Sequence, residues 1–269
     1  MVLRDGCHLA WRSAGSGPAV LMIQGVGVHG GGWRPQVDAL AGRYRCVTFD
    51  NRGMGGSQPV GTGPLTVGRM ADDVAAVMDA AGVDSAHVLG HSLGGLVALQ
   101  LALSHRSRVR SLALLCTFAD GRIPTRLTPW MMWAGLRTRI GPRRARRRAF
   151  LRFVLTPAEL AAADADAVAA ELAPLFGHDL ADQPAVAMPQ LRAMGRCDLT
   201  PRLGELAGVP TRVVSAAHDR IAPPAAGRAI AAGVPGARFD CVDDAAHGLP
   251  ITHAGRVNEM LEGHWAAVG

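Results

Sequence analysis

Six residues constrain this chain more than any others: Gly90-His91-Ser92-Leu93-Gly94-Gly95. They stand between an apolar run at 86–89, which reads as a strand, and a second at 96–103, whose composition reads as a helix. A strand-to-helix turn this tight leaves no room for side chains at Gly90 and Gly94. It pushes the hydroxyl of the intervening serine outward and aims the helix N-terminus at it. Short Gly/Ser motifs arise by chance, so the weight lies in the flanking strand and helix. That context predicts a nucleophile elbow at Ser92, with an ordinary helix-capping serine as the alternative.

The rest of the chain repeats the same alternation. Strands are expected at 7–12, 19–23, 44–49, 86–89, 109–116, 211–215 and 238–242. Between them, 66–81 carries Met70, Val74, Val77 and Met78 on one face at helical spacing, and helices are also expected at 225–232 and 254–267. Strand alternating with helix implies right-handed crossovers and an α/β fold, a mostly parallel sheet covered by helices on both faces. The alternation stops between about 120 and 199, a stretch rich in Arg and Ala with no convincing strand. The expected organisation is a core of residues 1–119 and 200–269 interrupted by a helical cap at 120–199.

Composition narrows the function classes. The 269 residues suffice for one α/β domain with a large core, and the 49% apolar content argues against disorder. No apolar run reaches the roughly 20 residues of a membrane span, and the first residues hold no apolar signal core, so a soluble, cytoplasmic protein with no membrane partner is expected. The five cysteines, Cys7, Cys46, Cys116, Cys197 and Cys241, are unpaired in spacing and read as reduced thiols. No Cys/His cluster has zinc spacing, and neither a metal nor a cofactor is expected. Much of the +6 net charge sits at 137–148 in Arg137, Arg139, Arg143, Arg144, Arg146, Arg147 and Arg148. No nucleic-acid-binding fold or interleaved aromatics accompany it, so no nucleic-acid partner is expected.

A serine nucleophile needs a base and a group that orients the base. In such sheets the partners follow later strands in the order Ser, Asp, His. Asp219 lies just past the strand at 211–215, and His247 just past that at 238–242. Open α/β sheets place their sites at these C-terminal strand ends. Asp120, past the strand ending at Cys116, is a rival for the acid.

On these residues the chain resembles the α/β-hydrolase superfamily over essentially its whole length. The stretches that carry the likeness are Leu21-Met22-Ile23-Gln24-Gly25, Phe49-Asp50-Asn51-Arg52-Gly53-Met54-Gly55-Gly56-Ser57, Gly90 to Gly95, His218-Asp219 with Pro223, and His247-Gly248. It looks most like small capped serine esterases and 3-oxoadipate enol-lactonases, with cofactor-free haloperoxidases nearby. The resemblance implies Ser92 as nucleophile, Asp219 as acid and His247 as base, acting on a small-molecule ester, lactone or thioester through an acyl-serine. Thioesterase, acyltransferase, cyclase, C–C hydrolase and peracid-forming haloperoxidase chemistry use the same machinery. A binding protein that kept the fold is the non-enzymatic alternative.

The oxyanion hole would take one backbone N–H from Leu93 and another from the loop after residue 23. Relatives usually read His-Gly there; this chain reads Gln24-Gly25-Val26, with Val26 the expected donor and Gln24 bracing the loop. His29-Gly30-Gly31-Gly32 is a second candidate, or else a flexible loop over the pocket. Asp50-Asn51-Arg52-Gly53 reads as structural. Trp33, Trp130 and Trp133 are candidates to line the substrate pocket, core packing being the alternative. The five arginines from Arg143 to Arg148 read either as a solvated face or as a dock for an anionic substrate or an acidic carrier protein.

Overall fold

The computed structural model describes residues 1–124 and 128–268. Among the described residues nine strands form in chain order: β1 Val2–Arg4, β2 Cys7–Leu9, β3 Trp11–Ala14, β4 Ala19–Ile23, β5 Arg45–Phe49, β6 Ala86–His91, β7 Val109–Leu115, β8 Thr211–Ala216 and β9 Arg238–Val242. The main sheet has seven strands in the order β3-β5-β4-β6-β7-β8-β9. All its pairings are parallel except that of β3 with β5. The helices are α1 Arg34–Leu40, α2 Val67–Ala80, α3 Leu93–Ser104, α4 Pro129–Arg137, α5 Arg143–Val154, α6 Pro157–Ala162, α7 Ala165–Phe176, α8 Ala187–Gly195, α9 Pro224–Gly233, α10 Leu249–Thr252 and α11 Ala254–Ala266.

The sheet separates two cores because strand side chains alternate between its faces. Leu21, Ile23, Val88, Leu112 and Leu114 point to the side covered by α2, α3 and α9. Val20, Met22, Leu89, Ala113 and Leu115 point to the side where Leu40 of α1 and Val257, Leu261 and Trp265 of α11 pack. α2 starts where Thr66 accepts from Arg69 N–H, and it buries Met70, Val74, Val77 and Met78. α3 is buried almost all round, as a helix wedged between the sheet and α2 must be.

α4 to α8 occupy the stretch between β7 and β8. Its two chain ends are stitched together: Leu199 N–H donates to Ala119 O, and Gly121 N–H to Cys197 O, both at 2.9 Å. These helices have their own apolar cluster, in which Leu151, Leu160, Leu172 and Phe176 pack together with Val28 from the loop after β4.

The amino end differs from the sequence expectation. The strand expected at 7–12 is two strands, and β1 pairs with β2 as a separate antiparallel hairpin. Ala10 marks the break: its N–H donates to Ser57 Oγ and its carbonyl accepts from Asp50 N–H, so the backbone leaves one ladder before entering another. Among the described residues, no helix is long and apolar enough to cross a membrane.

Candidate active site

The β6–α3 turn holds Ser92 in a strained backbone conformation, φ 57° and ψ −121°. Close packing explains its glycines. A Cβ on Gly94 would lie 2.0 Å from the Ile23 carbonyl oxygen, and one on Gly90 would lie 2.4 Å from that of Gly94. Backbone bonds fix the turn: Ser92 N–H donates to Leu115 O at 3.0 Å, and the Thr117 hydroxyl donates to Ser92 O at 2.6 Å. Ser92 stands at the N-cap of α3, yet its side chain does not cap the helix. The hydroxyl makes no hydrogen bond to any described residue and faces a cavity.

His247, from the loop after β9, faces the same cavity. Its Nδ1 lies 2.7 Å from Asp219 Oδ2; the nitrogen donates, because a carboxylate only accepts. Asp219, on the loop after β8, is buried, and its Oδ1 accepts from the N–H groups of Ile221 and Ala222, each at 2.8 Å. These bonds fix the carboxylate so that its other oxygen is aimed at the imidazole. The other carboxylate considered at this end of the sheet, Asp120, is bound by the Arg122 guanidinium at 2.8 Å. His218, beside Asp219 in sequence, is exposed, and its N–H donates to Ala245 O.

His91 packs behind this pair. Its Nε2 donates to the His247 carbonyl at 2.9 Å, and the two rings are 4.7 Å apart. Burial, with His247 adding to it, pushes the His91 pKa down to about 3, so the ring stays neutral. His91, Cys116 and His247 offer three potential ligand atoms within 4.8 Å of one another. One nitrogen of each ring is already taken, and burial holds the Cys116 thiol well above its ordinary pKa.

The loop after β4 is braced from both sides. Asn51 Nδ2 donates to Gln24 O at 2.9 Å, and Asp50 accepts from the N–H groups of Gly30 and Gly56 at 2.7 and 2.8 Å. From the other side, Gln190 Oε1 of α8 accepts from Gly27 N–H at 2.8 Å, and His178 Nε2, between α7 and α8, donates to Gly27 O at 3.0 Å. Gln24 Oε1 accepts from Gly25 N–H at 3.3 Å, a local turn contact rather than the main brace. The N–H groups of Val26 and Leu93 have no hydrogen-bond partner among the described residues, and Val26 lines the cavity beside Ser92. The glycine run at 30–32 is not an open loop. It forms a 3₁₀ turn, and His29 Nε2 is bonded to the Pro174 carbonyl of α7 at 3.0 Å.

The cavity above Ser92 is about 830 Å³, a size that takes a drug-like ligand. Its walls are mostly apolar, from Met131, Leu136, Phe150, Phe153, Leu191 and Ile251 among others.

An alpha/beta hydrolase fold family profile matches residues 18–254. The chain belongs to this family. RutD of Azorhizobium caulinodans, named provisionally as a carbamate hydrolase, is 33% identical over 258 residues, covering 93% of this chain and 91% of that one. An enol-lactonase from Burkholderia xenovorans superposes with a TM-score of 0.81 at 28% identity, over 97% of this chain and 98% of that one. A thermophilic esterase from Thermogutta terrifontis gives 0.76 at 26% identity, over 97% and 93%. Hydrolysis is the activity these names share.

Within this α/β-hydrolase scaffold the three tryptophans do not line the cavity. Trp33 is fully buried in the sheet core with Val20 and Met22. Trp130 packs edge-on against Phe153, with the Arg220 guanidinium 4.6 Å from its ring centre. Trp133 is 45% exposed beneath Arg152. Helical phase is the reason: Met131 and Gly135, and Met132 and Leu136, are four apart and turn to the cavity, which leaves Trp130 and Trp133 on another face. Three arginines of α5 meet carboxylates. Arg143 pairs with Asp179 and Asp182, Arg144 with Asp166, and Arg147 with both Asp166 and Asp179. Gln190, fully buried beneath the loop, has no signal in the sequence, because nothing local joins it to Gly27, 163 residues away.

Proposed function

We propose that this protein is a serine hydrolase that cleaves a carboxylic ester or lactone through an acyl-serine. One observation carries the reading. A buried Asp219–His247 pair, 2.7 Å apart, shares a cavity floor with a serine held in a strained turn, its hydroxyl without a hydrogen bond among the described residues. His247 Nε2 accepts the Ser92 proton as Oγ attacks the carbonyl carbon. The contact between them closes when substrate is bound, as such contacts commonly do. The N–H groups of Val26 and Leu93 receive the oxyanion, each worth on the order of 10²–10³ in rate. His247 then protonates the leaving alcohol. Water, deprotonated by His247 in turn, attacks the acyl carbon; the acyl–Oγ bond breaks, His247 returns the proton to Ser92 Oγ, and the acid leaves. Asp219 fixes the imidazole tautomer and stabilises its cationic form.

Carbamate hydrolysis, suggested by the name of the RutD relative, would use the same steps. The broad apolar cavity favours a larger apolar substrate over a small polar one. The test is covalent labelling with a fluorophosphonate probe, read by intact mass and peptide mapping. Stoichiometric label on Ser92, absent in Ser92→Ala, is expected, together with turnover of p-nitrophenyl esters. Failure to label a folded protein would overturn the proposal.

A further inference from the structure

Among the described residues, the cavity wall carries two arginines, Arg139 just past α4 and Arg192 on α8, and no aspartate or glutamate. Both are exposed, so they sit at the rim rather than on the floor. Contact and helix spacing bring both to the neighbourhood of Met188. Arg139 Nη2 lies 3.0 Å from the Met188 sulfur, and Arg192 follows Met188 by four residues on the same helix, which puts the two side chains on one face. A thioether is a weak acceptor. A guanidinium directs an N–H there when no carboxylate is within reach. Neither Arg139 nor Arg192 has an ion pair among the described residues. On α5 the fold does the opposite, meeting Arg143, Arg144 and Arg147 with three aspartates.

We infer that the site takes amphiphilic substrates, with an apolar body inside the cavity and an anionic group at its far end held by Arg139 and Arg192. A planar guanidinium pair suits a carboxylate, sulfonate or phosphate head. Two like charges beside one methionine repel, and an anionic head relieves that repulsion. The apolar walls between rim and serine fill with the substrate's chain, so the head sets which end of the molecule reaches Ser92. The inference rests on the proposed ester hydrolysis only for the identity of the bond that is cut.

The experiment compares binding of octane-1-sulfonate and octan-1-ol, below micelle-forming concentration, by titration calorimetry. The two share a tail and differ in the head. The sulfonate is expected to bind roughly tenfold more tightly at low salt, the scale of two partly exposed charge contacts. The preference should fall to about twofold or less in Arg139→Gln/Arg192→Gln, and likewise in roughly half-molar salt. Equal affinity for the two heads overturns the inference. So does a sulfonate preference that survives the double substitution, because the head would then sit elsewhere, at the oxyanion site for example. In parallel, kcat/KM is measured for p-nitrophenyl octanoate and for the mono-p-nitrophenyl ester of suberic acid, which adds a terminal carboxylate. A higher kcat/KM for the suberate ester that shrinks in the double variant supports the inference. If neither ester is cleaved while the sulfonate preference stands, the ester reading alone fails.

Discussion

Ser92 holds a backbone conformation that L-residues avoid, and the bonds from Thr117 and to Leu115 keep it there. Strain of this kind persists only where its surroundings over-determine it, and here it leaves a hydroxyl facing the cavity instead of capping α3. Ser92→Ala removes the proposed nucleophile without altering the backbone bonds. Turnover of a p-nitrophenyl ester should drop to the residual of about 10³–10⁴ over water that the remaining site supplies. Retention of even a tenth of native turnover would mean another group attacks. Asp219→Asn keeps the shape but can hold the imidazole in the wrong tautomer, for a loss on the order of 10⁴ in kcat. Asp120→Asn alters the contacts with Arg122 and should cost little. The reverse result from this pair would move the acid to the end of β7.

At the scale of elements, the site is assembled by the ends of β4, β6, β8 and β9, with α4, α5 and α8 lining the cavity above it. What could be seen in the sequence follows from range. The elbow and the loops bearing Asp219 and His247 are strand-end features, written in a few adjacent residues, and the alternation of periods set the sheet around them. Orientation across longer distances was not written. Composition put tryptophans at the start of the cap, but only the helical phase of α4 turns Met131 and Met132 inward. Likewise no local pattern announces that Gln190 on α8 secures the loop expected to provide an oxyanion donor. Its Oε1 takes the Gly27 N–H while its Nε2 is left without a partner, so the oxygen is what the site uses. Gln190→Ala leaves that N–H buried and unpaired, at about 1–3 kcal/mol, partly offset by removal of the orphan amide nitrogen. Thermal unfolding should shift down modestly, while kcat falls by about tenfold as the loop loses its register. A kcat unchanged within twofold would show that Asn51 and His178 suffice to hold the loop.

For the whole molecule, pH acts through buried histidines. His87 on β6 is 1% exposed, bonded to Ser111 Oγ at 2.8 Å and packed on the Trp265 ring. Burial, aided by Arg110 and His264, lowers its pKa to about 4, and His91 lies at about 3. An unfolded chain protonates both near 6.5, so between there and the folded values it binds protons that the folded protein cannot. Stability is therefore full at neutral pH and falls as pH drops below about 6.5, by about 2 kcal/mol per histidine on reaching pH 5. The paired carboxylates act later. Desolvation opposes the effect at Asp72 and at Asp179, yet His105 and Arg4, and Arg147 and Arg143, hold their pKa values below the ordinary carboxylate value, so their contribution is lost only in stronger acid. Urea unfolding of His87→Gln should show a decline from pH 6.5 to 5 that is shallower than native by about 2 kcal/mol, the contribution of one non-titrating side chain. An identical decline in both proteins would mean that His87 takes up its proton in the folded state. The variant also separates two causes of lost activity in acid. In the proposed mechanism His247 must be neutral to accept the serine proton, so kcat/KM should fall on acidification even in a stable fold. If initial rates of His87→Gln follow the native acid limb while its inactivation on standing at pH 5 is slower, that limb belongs to the site and the slower loss to the fold.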